Sequence, residues 1–106
     1  MTKPKHIETL ADNLGSKMNA LVDRGSPRDF LDVRTTVGAG LISIPQCWDL
    51  WARKNPSDTV AVGRQKVLHH LNALETRRPL VSIVDDAARR EAKATRDWFR
   101  AEFLGP

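Results

Sequence analysis

Three ionisable residues, Lys17, Asp29 and Asp32, fall where two amphipathic helices should meet. At about 100° per residue, Lys17 lies at the edge of an apolar stripe of Leu10, Leu14, Met18, Leu21 and Val22. Asp29 flanks a Phe30/Val33/Val37 face, and Asp32 follows one turn later, four residues from Arg28. A lysine can neutralise phosphate charge. One or two aspartates on a helix rim bind Mg²⁺ weakly, because this ion keeps most of its waters unless phosphates and further carboxylates assist. The same residues also have ordinary duties. A lysine at a stripe edge snorkels, and Asp29 can be a helix-capping acid. Arg28 and Asp32 can form an exposed pair worth roughly a few tenths of a kcal/mol. Spacing leaves both readings open.

The elements that must hold these residues are legible as helices. The first covers about residues 10–24, opened by a Thr9–Asp12 capping box, and Gly25 stops it after a basic last turn. Ser26-Pro27-Arg28-Asp29 restarts the chain with a cap, a proline suited to the first helical position and a box acid. That second helix runs over about residues 27–37, to the Gly38-Ala39-Gly40 stop. Ser43-Ile44-Pro45-Gln46 opens a short third helix carrying Cys47, Trp48, Leu50, Trp51 and Ala52. It ends by Lys54, because Asn55 precedes Pro56 and is pushed out of the helical region. Ser57-Asp58 is expected to cap a fourth helix over about residues 59–76, with Val60, Val67, Leu71 and Leu74 as its stripe and Gly63 weakening it slightly. Arg77-Arg78-Pro79 breaks it. Residues 80–84 are expected to be a short extended connector packed across the bundle, since a lone strand has no partner. Asp85-Asp86 opens the last helix, to about Leu104, with Ala88, Ala92, Thr95, Phe99 and Phe103 in one line. The expectation is an all-α bundle of about five helices: residues 9–106 as a single helical domain, residues 1–8 as a flexible lead-in.

Composition narrows the function classes. The 106 residues suit one domain. One cysteine, Cys47, allows neither an internal disulfide nor a cysteine-based zinc site, which fits a reducing compartment. No apolar run approaches the roughly 18 residues of a membrane span, and no apolar signal core follows Lys3 to His6. The chain is therefore expected to be cytoplasmic, with no membrane partner. Seventeen basic against thirteen acidic residues give a formal net charge of +4, which permits attraction to nucleic acid without requiring it. Trp48 and Trp51 share a helix face; a base-stacking platform is one reading, core the favoured one. His69 and His70 are adjacent, point about 100° apart and cannot share a metal; one surface and one partly buried histidine is expected. Arg89, Arg90, Lys93, Arg96 and Arg100 cover the rest of the last helix. They could touch RNA, and solvation is the favoured reading.

The run from Leu14 to Val33 resembles the Lys-then-Arg-Asp-x-x-Asp region of AbiEii/AbiGii-type nucleotidyltransferase toxins, the toxin halves of type IV toxin–antitoxin and abortive-infection systems. The likeness continues through Ala39-Gly40-Leu41, the Trp-rich segment to Asn55-Pro56, and Arg77-Arg78-Pro79-Leu80. It covers most of the chain but only the second half of such a toxin. The family's first half carries a Gly-Ser turn and an Asp-x-Asp-type metal pair. Gly15-Ser16 does not supply that turn: it lies inside a helix, no strand precedes it and no Asp-x-Asp follows. The resemblance implies catalytic roles for Lys17 and for one of Asp29 and Asp32, with Lys17 meeting the nucleotide's phosphates and Arg28 orienting the acid. It implies Mg²⁺ and a nucleoside triphosphate only when the missing catalytic half is present, and no transfer by this chain alone. In the full family the nucleotide would go to an RNA or protein acceptor. The implied partners are a cognate antitoxin or a separately encoded catalytic half, with tRNA or another RNA as a further one. The alternative is a small cytoplasmic helical RNA- or partner-binding protein without enzymatic activity.

Overall fold

The computed structural model describes residues 10–105, with side chains from Ala11 onward; the expected lead-in over residues 1–8 and the Thr9 cap lie outside the described residues. Five α-helices follow one another: α1 (Leu10–Asp23), α2 (Pro27–Gly38), α3 (Ile44–Lys54), α4 (Val60–Arg77) and α5 (Asp86–Trp98). No strand occurs among the described residues. The all-α bundle expected from the capping pattern is what the chain forms.

Local chemistry sets most boundaries. Both expected capping boxes are made: Ser26 with Asp29 at α2, and Ser43 with Gln46 at α3, each with proline in the first helical turn. Between α1 and α2 the chain turns at Gly25, whose φ of +60° only glycine takes freely. A Cβ there would also lie 2.4 Å from His70 on α4, so the tight turn and its helix neighbour both exclude a side chain. The start of α4 differs from expectation. Thr59, not Ser57-Asp58, is its cap, accepting from the Val62 N–H at 3.2 Å. Asp58 instead donates its own N–H to Asn55 O in the turn around Pro56.

The core is a continuous cluster that includes Met18, Leu21 and Val22 of α1, Phe30 and Val33 of α2, Cys47, Trp48 and Trp51 of α3, and Val67 and Leu71 of α4. The favoured core reading of both tryptophans is therefore correct. They meet edge to face at 5.8 Å, and Trp48 passes the contact on to Phe103, Phe103 to Phe99, and Phe99 to Phe30. This aromatic row ties α3, the chain end and α2 together, each pair contributing about 0.5–1.5 kcal/mol beyond area burial. Both indole N–H groups are buried without an acceptor, so the row must outweigh roughly 1–3 kcal/mol for each. Gly63 gains a role that propensity did not give it. A Cβ there would sit 2.9–3.0 Å from the Trp51 and Trp48 rings, so the close approach of α4 to the tryptophans at this position requires a glycine.

The chain end departs furthest from expectation. Residues 80–82 are not extended, although Ile83 keeps an extended backbone, and the segment does not pack across the bundle. Leu80–Ser82 forms a 3-10 turn against α5, leaving Val81 and Val84 90% and 93% exposed. A short turn satisfies its own carbonyls, Pro79 O accepting from Ser82 N, which a lone extended segment would not. Beyond Trp98 the helix continues as a π-turn, Phe99–Phe103, with Leu104 N–H bonding Phe99 O. Phe99, Phe103 and Leu104 are all buried there.

Candidate functional site

Asp29 and Asp32 start from the same helix and end in different surroundings. Asp29 is 5% exposed. Its carboxylate accepts from Arg24 Nε (3.0 Å) and Nη2 (2.8 Å), from Ser26 N–H (2.9 Å) and from the Ser26 hydroxyl (2.8 Å). The Arg24 guanidinium, against the opposing effect of burial, holds this carboxyl at about 2, and the two Ser26 donors add to that. The same pair raises Arg24. Asp29 is thus a capping acid that also clamps the end of α1 to the start of α2. In the sequence Arg24 reads only as the basic residue of a last turn. The signal was present: an arginine five residues before a box acid, with a glycine turn between, can fold back onto that acid.

Asp32 lies one turn later, on the outer rim of the α1–α2 hairpin. Lys17 Nζ stands 3.5 Å from Asp32 Oδ2, with the two side chains 34% and 36% exposed. Arg28 Nε reaches the same oxygen at 4.0 Å from a side chain almost wholly in solvent. So of the residues singled out, the fold joins Lys17, Arg28 and Asp32 and sends Asp29 elsewhere. Two cations facing one carboxylate leave the rim positive. That arrangement can meet a phosphate through Lys17. It does not fit a catalytic Mg²⁺ site: Asp32 is one carboxylate already facing two cations, Asp29 is consumed by four donors, and no group of three or more His, Cys, Asp or Glu converges among the described residues.

The other candidates separate cleanly. His69 is exposed, and His70 is half-buried with Nε2 2.9 Å from Val22 O. A carbonyl only accepts, so Nε2 carries the proton. Burial pushes the Cys47 thiol up to about 11, which removes it as a nucleophile near neutrality. The basic face of the last helix is largely neutralised within the fold. Arg89 pairs with Asp86, Lys93 with Asp97, and Arg100 with Glu75. Arg96, expected in solvent, is buried, donating to Glu75 at 3.0 Å and to Arg78 O at 2.8 Å. No described helix is long and apolar enough to cross a membrane. No protein-family model, curated protein or solved structure matches the chain.

Proposed function

We propose that this chain is the helical accessory half of an AbiEii-type nucleotidyltransferase, presenting Lys17 to a nucleotide's phosphates and transferring nothing alone. The observation that carries the reading is the Lys17–Arg28–Asp32 group, gathered within 4.0 Å on an accessible rim where the core needs none of the three. A buried ion pair would point to architecture. A pair about a third exposed contributes only about 0–1 kcal/mol, so little stability is lost when Lys17 turns to a ligand. In this role Asp32 orients the Lys17 ammonium, Arg28 adds positive charge beside it, and Asp29 keeps the hairpin angle fixed. The carboxylates that hold Mg²⁺ would come from a separately encoded catalytic half.

The test is to incubate the purified chain with each labelled nucleoside triphosphate, Mg²⁺ and total tRNA, with and without a candidate half carrying the Gly-Ser and Asp-x-Asp pattern. The expected result is transfer only with both chains, lost in Lys17→Ala and retained in Arg90→Ala. Transfer by this chain alone that Lys17→Ala abolishes would overturn the reading. So would a reconstituted activity indifferent to Lys17.

A further inference from the structure

A cavity of about 280 Å³ opens where the α1–α2 turn meets the end of α4. Arg24, Gly25, Ser26, His70, Arg77 and Arg78 are among its lining residues, and no acidic residue lines it. The geometry points to a phosphate-binding site in this cavity, for a phosphate group carried by a free nucleotide or by an RNA backbone. The inference does not depend on the transferase reading, since Lys17 and Asp32 line no part of the cavity.

Charge accounting favours this place over the others. Arg77 and Arg78 are exposed and take part in none of the ion pairs among the described residues. The α5 cations, by contrast, are mostly spent on Asp86, Asp97 and Glu75. Arg24 gives two donors to Asp29, yet its side chain stays 68% exposed. A second basic cavity, lined by Arg64 and Arg100, is weaker because Glu75 stands 3.6 Å from Arg100. Helix dipoles do not decide the matter: α2 brings its positive end here and α4 its negative end. The guanidinium forks must do so, and their planar geometry suits phosphate oxygens. His70 adds no donor in this tautomer, since its Nε2–H is engaged with Val22 O and Nδ1 is then an acceptor, so the arginines carry the site. The volume lies just below the roughly 300–1,000 Å³ of sites that enclose a drug-sized ligand, so the cavity fits a phosphate group rather than a whole nucleotide. On its floor Gly25 sits directly against His70, leaving no room there for a side chain.

The test is a titration of ¹⁵N-labelled protein at constant ionic strength with inorganic phosphate, adenosine 5′-monophosphate and a short single-stranded oligoribonucleotide. The expected result is saturable shifts of the Gly25, Ser26, Arg77 and Arg78 amides with at least one of the three. Arg77→Gln with Arg78→Gln should weaken that binding by about tenfold or more. Arg90→Gln, with the removal of one exposed charge elsewhere, should change it less than about twofold. Both keep the backbone bonds at the end of α4, and a melting curve checks that the fold survives. Saturation by phosphate or the monophosphate alone assigns the site to a free ligand; tighter saturation by the oligoribonucleotide assigns it to RNA. Shifts absent at these amides with all three probes, or an equal loss in Arg90→Gln, would overturn the inference.

Discussion

Two corners of one hairpin carry the same chemistry to opposite ends. At the Gly25 corner an arginine and an aspartate form a bidentate pair with Asp29 buried. One turn along, a lysine and an aspartate stand 3.5 Å apart with about a third of each side chain in water. The first pair has a fixed fork and a buried carboxylate to which a serine supplies two more donors, so it can determine how α1 meets α2 even though Arg24 stays largely in solvent. The second has one long contact between flexible, solvated groups. Charge pairing alone therefore says little about role; geometry and burial assign it.

The largest expected effect breaks the first corner. Asp29→Ala removes the cap, the clamp on Arg24 and the partner of the Ser26 N–H together, and should cost about 3 kcal/mol. In a domain of this size that lowers the thermal midpoint by roughly 12–24 °C. A drop under about 5 °C would show that the corner is held by Gly25 and the core alone.

Acid should reach the same corner more gently. Asp29 has a folded-state value of about 2, below its ordinary value of 3.8, so it binds its proton less readily when folded. Its contribution is fully present above about pH 4 and disappears as pH falls through about 2. It amounts to about 2 kcal/mol, measured as the change in urea midpoint between pH 5 and pH 2. Asp29→Asn should remove that component of the acid sensitivity. Arg24→Gln sharpens the comparison further. The buried carboxylate keeps its two Ser26 donors, so the expected loss of stability is smaller than for Asp29→Ala, with a narrower acid window.

Much of this fold could be read in the sequence, because helix starts are local events. Ser26-Pro27-Arg28-Asp29 and Ser43-Ile44-Pro45-Gln46 each contain all the atoms of their own caps. The α4 start was misplaced because Ser57, Asp58 and Thr59 all offer a cap, and only the turn around Pro56 and the approach of Gly63 to the tryptophans select Thr59. Arg96 was misread for a related reason. Its partners, Glu75 and the Arg78 carbonyl, lie 21 and 18 residues away, and no pattern within α5 announces them. The rim was half legible: periodicity put Lys17 at a stripe edge, but only the packing of α1 on α2 brings it to Asp32 instead of Asp29. The cavity beside Arg77 and Arg78 was not legible at all, since it exists only where a turn and a distant helix end converge.

The smallest expected effect sharpens the comparison from its other side. A double-mutant cycle of Lys17→Ala and Asp32→Ala should give a coupling under about 0.5 kcal/mol. The pair is half solvated, its 3.5 Å separation is long for a charge-assisted hydrogen bond, and Arg28 competes for the same oxygen. Raising the salt to about 1 M should shrink the coupling further, because the Debye length then falls to about 3 Å. The matching cycle of Arg24→Ala with Asp29→Ala should retain most of its coupling at that salt, because Asp29 is buried and its bonds are short. If the Lys17–Asp32 coupling exceeded about 1.5 kcal/mol and resisted salt, the rim would be architecture like the corner, and Lys17 would lose its claim to be free for a ligand. If it vanished while nucleotide transfer by the reconstituted enzyme still required Lys17, the two corners would divide as argued: one holds the hairpin together, and the other uses it.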